Sequence, residues 1–468
     1  MAGVFLLRLN STIRSITLSI QHQAVHKHTV IQFPFAYRTH GGLPKHPLQT
    51  PTGPPDADAP QDHMQTQHKT RHASSKTSLA LSGVLLLTSL NSAHAGTTIE
   101  EASGKEPAIS GGATKYLEPS LFDKVWGLAT LYKDDSNSFI QEFKLRGRYH
   151  GQYHWLDSDQ GSDDGWEDRR IRWGIEGKLF DKKVEFRAEF QSADEFDPFY
   201  QLLTDVYLKW KPSEAFNLTV GKQKPQIGAY DWLPSTNAQP TFERSQIFNQ
   251  LRVERVPGVV IDGKIDHWTY QAGIYSNQVD REFGQFDGGV SFTASIGYDL
   301  KHALNTEKAD LRFDWLHSEN EANDTLLNRY QDIFSTTLWL KEGRWSLVTE
   351  AFAGTGGSGK DGDVIGFFIL PTYDLVPKKL QLVGRYTFSA GDGADSVIAQ
   401  ARYERAAPEL TSGGRGDQYQ AGYLGLQYFI YGDRLKLLAG AEYSHLDGGG
   451  NGGDYDGWTA LTGVRFSF

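Results

Sequence analysis

From Phe139 to Trp155 the odd positions carry Phe139, Phe143, Leu145, Gly147, Tyr149, Gly151, Tyr153 and Trp155, interrupted only by Gln141. The even positions run Glu142, Lys144, Arg146, Arg148, His150, Gln152 and His154. A period of two sorts these sets onto opposite faces of a strand, one apolar and one charged. Such a strand is far longer than the five or six residues usual in soluble sheets. Its length suits a tilted barrel strand that crosses a membrane and rises above it.

The same phase returns along the chain, as Ile171/Trp173/Ile175/Leu179 against Arg170/Arg172/Glu176/Lys178, and as Val184/Phe186/Ala188/Phe190 against Glu185/Arg187/Glu189/Gln191. It predicts sixteen strands, near 139–155, 168–179, 183–192, 204–211, 216–223, 258–265, 268–275, 290–300, 308–317, 332–341, 344–354, 363–371, 379–388, 417–430, 434–444 and 457–468. The alternation is weakest in the tenth to twelfth. Tight connections (Phe180-Asp181-Lys182, Asp266-His267, Glu342-Gly343, Gly432-Asp433) alternate with long Gly/Asp-rich ones (157–167, 224–257, 276–289, 389–416, 445–456). That rhythm is the one expected of short periplasmic turns and long external loops. The expected fold is all-β, a 16-stranded antiparallel transmembrane β-barrel over residues 138–468 with an inward-folded constriction loop.

Composition agrees with this pattern. Glycine is abundant at 49 residues, aromatics make up 12%, mean hydropathy is −0.47, and cysteine is absent, which removes disulfides and thiolate chemistry together. No run of about 18 apolar residues provides a membrane helix, so any span must be made by strands. Trp and Tyr recur near strand ends, as an interfacial girdle requires.

The N-terminal part reads differently. Residues 1–63 are His- and Pro-rich without a period and are expected to be a non-native or disordered extension, with translation starting at Met64. Residues 64–95 combine Lys69, Arg71 and Lys76, an apolar stretch from Leu79 to Leu90, and Ala93-His94-Ala95, the order of a cleaved secretory signal peptide. Residues 96–137 then form a periplasmic N-terminal segment, in which Pro119, Leu121, Val125 and Leu128 suggest a short amphipathic helix.

Net charge is −10; residues 1–95 hold 8 of the 47 basic and 3 of the 57 acidic residues, so the remainder carries 39 against 54, or −15. An acidic chain of this kind is no general nucleic-acid binder, whose affinity comes from neutralising phosphates with a basic surface. The lumen face nonetheless gathers Lys144, Arg146, Arg148, Arg170, Arg172, Lys178 and Arg187. These cations either line an anion path or pair with Glu142, Glu176, Glu185 and Glu189 on neighbouring strands; the pattern is compatible with both.

A barrel of this size encloses water, so selectivity falls to a loop folded inward. The longest connection, 224–257, is stiffened by Pro225, Pro234 and Pro240 and carries Phe242, Ile247, Phe248 and Leu251, apolar surface that requires something to pack against. Lys222, Lys224, Arg244, Arg252 and Arg255 surround it and are the expected selectivity residues, with Glu243 buttressing a neighbouring cation.

Arg169-Arg170-x-Arg172-x-Gly174, the strand Phe186-Arg187-x-Glu189-Phe190, the run Gly221-Lys222-Gln223-Lys224-Pro225-Gln226-Ile227-Gly228 and Glu243-Arg244-Ser245 together resemble the phosphate-selective porin O/P family, over about residues 138–468. The resemblance implies a homotrimeric, passive outer-membrane channel of a Gram-negative cell. It implies a third loop that constricts the lumen, and inward Arg and Lys that draw small anions of the phosphate or polyphosphate class. The final strand ends Val464, Phe466, Phe468, which looks like the C-terminal signal read by barrel-assembly machinery. Outer-membrane lipid is the surrounding partner.

Other functions leave different marks. After residue 95 the histidines are His150, His154, His267, His302, His317 and His445, none in a nucleophile or metal-ligand motif, so neither catalysis, nor a metal, nor a cofactor is expected. A general, carbohydrate or organic-acid porin would use aromatic faces such as Trp155, Tyr230 and Trp232 along its path. A plugged structural barrel would conduct nothing.

Overall fold

A computed structural model of the chain describes residues 120–468 apart from 280–281, 284–288, 320–328, 358–360, 401 and 449–452. The expected extension, signal peptide and residues 96–119 lie outside the described residues.

Sixteen antiparallel strands form one closed barrel: β1 (Ile140–Ser158), β2 (Gly161–Leu179), β3 (Val184–Ser192), β4 (Leu202–Ser213), β5 (Phe216–Gln223), β6 (Val256–Ile265), β7 (Trp268–Ser276), β8 (Val290–Asp299), β9 (Lys308–Ser318), β10 (Asp332–Glu342), β11 (Trp345–Thr355), β12 (Val364–Val376), β13 (Leu380–Gly391), β14 (Gln418–Tyr431), β15 (Leu435–Asp447) and β16 (Tyr455–Ser467). Each pairs with its neighbours in sequence, and β16 closes on β1 in register from Gly457↔Ser158 to Ser467↔Arg148. Closure pairs the first strand with the last along this register, as a spanning sheet in hydrocarbon requires.

The period-two phase places Leu145, Trp155, Leu208, Trp210, Ile261, Trp268, Phe313, Ile369, Leu424 and Trp458 on the outside, all exposed. An apolar belt of this extent exceeds what a water-soluble surface carries and matches a lipid-facing band. The polar set faces the lumen, where Gln152, Glu189, Thr219, Lys222, Asp314 and Glu350 are buried.

Three stretches depart most from the sequence reading. The acidic stretch 157–167 is strand rather than loop, because β1 and β2 run on to a two-residue tip, supported by cross-strand bonds of Tyr153 to Asp164 and of His154 to Asp163 at 3.1 Å. Cross-strand partners outweigh the low strand preference of Asp and Gly there. β12 continues through Pro371 to Val376, five residues past the expected end. Part of 389–416 is also paired, with Val397–Ile398 laddered onto Arg415–Gly416.

The expected amphipathic helix before the barrel is α1 (Leu121–Gly127), begun by a capping box between Ser120 and Asp123. It is followed by a four-residue edge segment, Thr130–Lys133, paired with the foot of β1.

The docked loop explains why alternation is weakest in the tenth to twelfth strands. Val348, Phe352, Val364, Phe368 and Tyr419 are buried on the inner side, against Ile227, Trp232, Ile247, Phe248 and Leu251 from the β5–β6 connection. On these strands the inner face mixes apolar residues that meet the docked loop with polar ones such as Ser335, Thr337 and Glu350, so the contrast between the two faces is blurred.

Candidate functional site

The β5–β6 connection, residues 224–255, lies inside the barrel. At its first bend Gly228 adopts φ +67°, and a Cβ there would crowd Phe248 at 3.2 Å, so both the conformation and the space call for glycine. The N–H groups of Tyr230 and Asp231 donate to Glu350 of β11 at 3.1 and 2.9 Å. Ser245 caps α2 (Gln246–Leu251), accepting from Phe248 N at 3.2 Å, and its own hydroxyl donates to Asp231 at 2.5 Å. α2 buries Ile247, Phe248 and Leu251 against the wall. At about 1.5–3 kcal/mol per buried side chain of this size, these three alone resist release of the loop.

Polar anchors hold the middle of the loop. Arg465 of β16 donates to the carbonyls of Thr236, Gln239, Thr241 and Phe242 at 2.6–2.9 Å. Arg385 of β13 donates to Glu243 O at 2.8 Å and to Glu442 at 2.8 Å. Glu243 receives Arg169 through two bonds of 2.7 and 2.9 Å and Arg170 at 3.4 Å. Burial opposes the charge on Glu243, but Arg169 and Arg170 overcome it and hold the carboxyl well below its usual range. Arg169 reaches the lumen beside Arg170 because a bulge opposite His150 to Gln152 breaks the phase of β2. No period-two reading could have placed both neighbours inside.

The loop thus covers the wall from β10 to β16 and leaves an open cavity of about 630 Å³ against β1 and β3–β9. The cavity is lined by eight cations (Arg146, Arg148, Arg187, Lys209, Lys224, Arg255, Lys264, Arg312) and three carboxylates (Asp205, Glu214, Asp262). Arg148 spans from the wall to the loop, donating to Ser235 Oγ at 3.1 Å and Thr236 Oγ1 at 3.3 Å. Arg146 and Arg187 share Glu176 at 2.5 and 3.1 Å, and Arg255 donates to Asp205 at 3.0 Å. The Nε atoms of Arg146, Arg148 and Arg187 are buried without a hydrogen-bond partner.

The sequence-predicted residues divide accordingly. Arg146, Arg148, Arg187, Lys224 and Arg255 line the cavity. Lys224 directs its ammonium at the carbonyls of Trp232, Leu233 and Pro234 at 2.5, 3.2 and 3.1 Å, so its protons serve the loop and only its field reaches the cavity. Arg170 and Arg172 are buried in ion pairs with Glu243 and Glu189. Lys222 pairs with Glu282 at 2.9 Å, Arg244 donates to Asp231 O at 2.7 Å, and Arg252 is exposed in the left-handed C-cap of α2; none of these five lines the cavity. Lys209, Lys264, Arg312, Asp205 and Asp262 were not singled out beforehand, although the inward phase of β4, the partner of Val206/Leu208/Trp210, marks Asp205 and Lys209 plainly.

Trp232 lies beneath three cations, with Lys224, Arg244 and Arg255 at 4.9, 4.7 and 5.3 Å from its ring, and stacks on Phe248 at 5.1 Å. Burial first, then Arg255 and Arg244, push the Lys224 ammonium well below its usual range. Tyr230 packs on Trp339 at 5.0 Å and Trp155 faces outward, so none of these three aromatics lines the cavity.

A second inward connection, 392–417, carries Glu404, which is buried and accepts from Tyr419 at 2.8 Å, Ser444 at 2.5 Å and Gln400 N at 2.7 Å. Burial first, and Glu442 second, push its carboxyl up to about 7. Between its ordinary value of 4.5 and about 7 the folded loop keeps a proton that the free carboxyl has lost, so packing is tightest on the acid side and weakens as pH rises through about 7. Limited proteolysis within 392–417 is therefore expected to speed up from about pH 6 to about pH 8, and Glu404→Gln to remove that dependence.

A family model described as phosphate-selective porin O and P matches residues 143–455. Among curated proteins no sequence matches the chain. Among solved structures, OprB of Pseudomonas putida, determined at high pH, superimposes with a TM-score of 0.54 at 12% identity, over 70% of this chain and 94% of its own. An anion-selective porin from Comamonas acidovorans gives 0.49 at 10% identity over 70% and 99%, and the outer-membrane channel DcaP of Acinetobacter baumannii 0.47 at 12% over 72% and 100%. At these identities the likeness to OprB is one of fold.

Proposed function

The chain belongs to the phosphate-selective porin O and P family, a family of outer-membrane β-barrel channels, and from that premise we propose that it passes small anions in preference to cations. The observation that carries this reading is the charge reversal between chain and cavity. Residues 96–468 hold 54 acids against 39 bases, yet the cavity is lined by eight cations and three carboxylates. Field lines from such a lining concentrate in a narrow aqueous path between low-dielectric walls and enrich anions there. Five of the lining cations are arginines, Arg146, Arg148, Arg187, Arg255 and Arg312, and guanidinium groups match phosphate oxygens in forked geometry. Cations spread along one open cavity favour passage over trapping. The aromatics expected of a sugar path, Trp155, Tyr230 and Trp232, lie off the cavity, whose aromatic lining is Tyr207 and Tyr270.

The test is planar-bilayer conductance of the protein purified from outer membranes. In a KCl gradient the reversal potential is expected on the chloride side, with phosphate reducing chloride current. Both effects shrink toward 1 M salt, where the screening length falls to about 3 Å. A potassium-side potential indifferent to phosphate overturns the proposal, and chloride selectivity without phosphate block confines it to general anions.

A further inference from the structure

Near the short-turn end, β16 stops before β1 does. The last pairing is Ser467 with Arg148, after which Gly147 and Phe468 exchange N–H···O bonds of 3.1 and 3.0 Å. Below Gly147 the edge of β1 receives nothing from β16. Residues 129–134 fill it: Leu145 N donates to Ala129 O at 2.8 Å, Tyr132 and Lys133 pair with Phe143 and Glu142, and Asp134 N donates to Gln141 O at 3.0 Å. An uncovered edge here would be an open template for another strand.

α1 continues this seal onto the outside of the wall. Trp126 is buried, its Nε1 donates to Ser467 O at 2.6 Å, and its ring lies 5.3 Å from Phe466, which shares the outward phase of Trp458. Phe122 stacks on Tyr431 at 5.4 Å, and Tyr431 Oη donates to Asp123 at 2.5 Å. With Phe122 and Trp126 spent on the barrel, Leu121, Val125 and Leu128 share a second face at i, i+4 and i+7, turned away from the wall and exposed at 74, 48 and 77%, and Leu131 follows at 56%.

We propose that residues 120–133 are a two-sided clasp, whose inner side locks the β1–β16 seam and whose outer side inserts among lipid chains of the periplasmic leaflet. Lipid is the occupant because this face lies on the outer wall, next to the apolar belt that includes Phe139 and Leu145, and continues that belt around the seam. A short helix with one apolar face and a charged flank at Asp123 and Lys124 lies in an interface rather than spanning it.

The chain has no cysteine, so L128C takes a single environment-sensitive dye on a side chain that supports no contact of the fold. The labelled full-length protein is reconstituted into phosphatidylcholine vesicles containing lipid brominated near the glycerol, with unchanged conductance reporting an intact barrel. The expected result is a dye quenched by bromolipid about twofold more than one on K124C, and shielded from aqueous iodide. Iodide quenching of L128C without bromolipid quenching overturns the proposal in favour of a water-facing segment. Self-quenching between labelled copies overturns it in favour of a second chain on this face.

Discussion

Arg148→Glu is expected to reverse the selectivity of the channel while leaving the barrel intact. Arg148 bridges wall and loop through Ser235 and Thr236, and it lines the cavity. An anion passing within about 5 Å of one cation gains roughly 3 kcal/mol at an effective dielectric of about 20, and the substitution turns that gain into a similar penalty. At 1.4 kcal/mol per tenfold, anion occupancy beside this position drops by at least about 100-fold. The reversal potential is expected to cross zero toward the cation side, with phosphate block lost. Arg148→Gln is expected to fall between, and Arg252→Glu, which makes the same charge change at an exposed residue away from the cavity, to leave the reversal potential near the unmodified value. If Arg252→Glu shifts it equally, net charge rather than the lining sets selectivity.

Glu243→Ala is expected to release the inward loop from β2. Glu243 is buried and receives Arg169 and Arg170 together. Deleting one member of a buried ion pair costs about 3–5 kcal/mol, chiefly because the remaining charges stay buried without a counterion. The loss acts on the middle of the loop, between the apolar anchor at α2 and the Arg465 carbonyl cage, so the barrel keeps its strand content and heat-dependent migration. Single-channel current is expected to become larger and noisier, and cleavage within 235–245 to become detectable. The folded carboxyl lies below its ordinary value, so the clamp is fully present above about pH 4.5 and weakens only as pH falls through the lower folded value. This is the opposite sign to Glu404, which ties down the other inward connection. Quiet, unchanged current in Glu243→Ala would mean that Arg385 and Arg465 suffice to hold the loop.

These two residues mark how far the sequence could be read. Arg148 was visible at once, because alternation from Phe139 to Trp155 puts it on the polar face of a strand whose other face is greasy. Glu243 was recognised as a partner for a cation, but Arg169 was not recognised as that partner, since a bulge in β2 moves it out of the phase its sequence position implies. Arg385 and Arg465 were equally hidden as loop anchors. Their inward direction follows from period two, but the carbonyls they hold belong to a segment more than a hundred residues away.

Local chemistry along the chain determined the strand count, the two faces, the alternation of short and long connections and the wet, cation-bearing lumen of β1–β3. The reason is that lipid and water select side chains residue by residue, so the solvent on each face is written into the pattern itself. Tertiary structure alone decided which cations meet. It sent residues 224–255 onto β10–β16, spent Lys224 on three carbonyls, buried Arg170 and Arg172 in ion pairs, and left Arg146, Arg148, Arg187 and Arg255 around open space with Lys209, Lys264 and Arg312. A cation's role depends on whether its donors are already taken, and the takers are set by loop docking and by strand register at a bulge, neither of which leaves a local period to read.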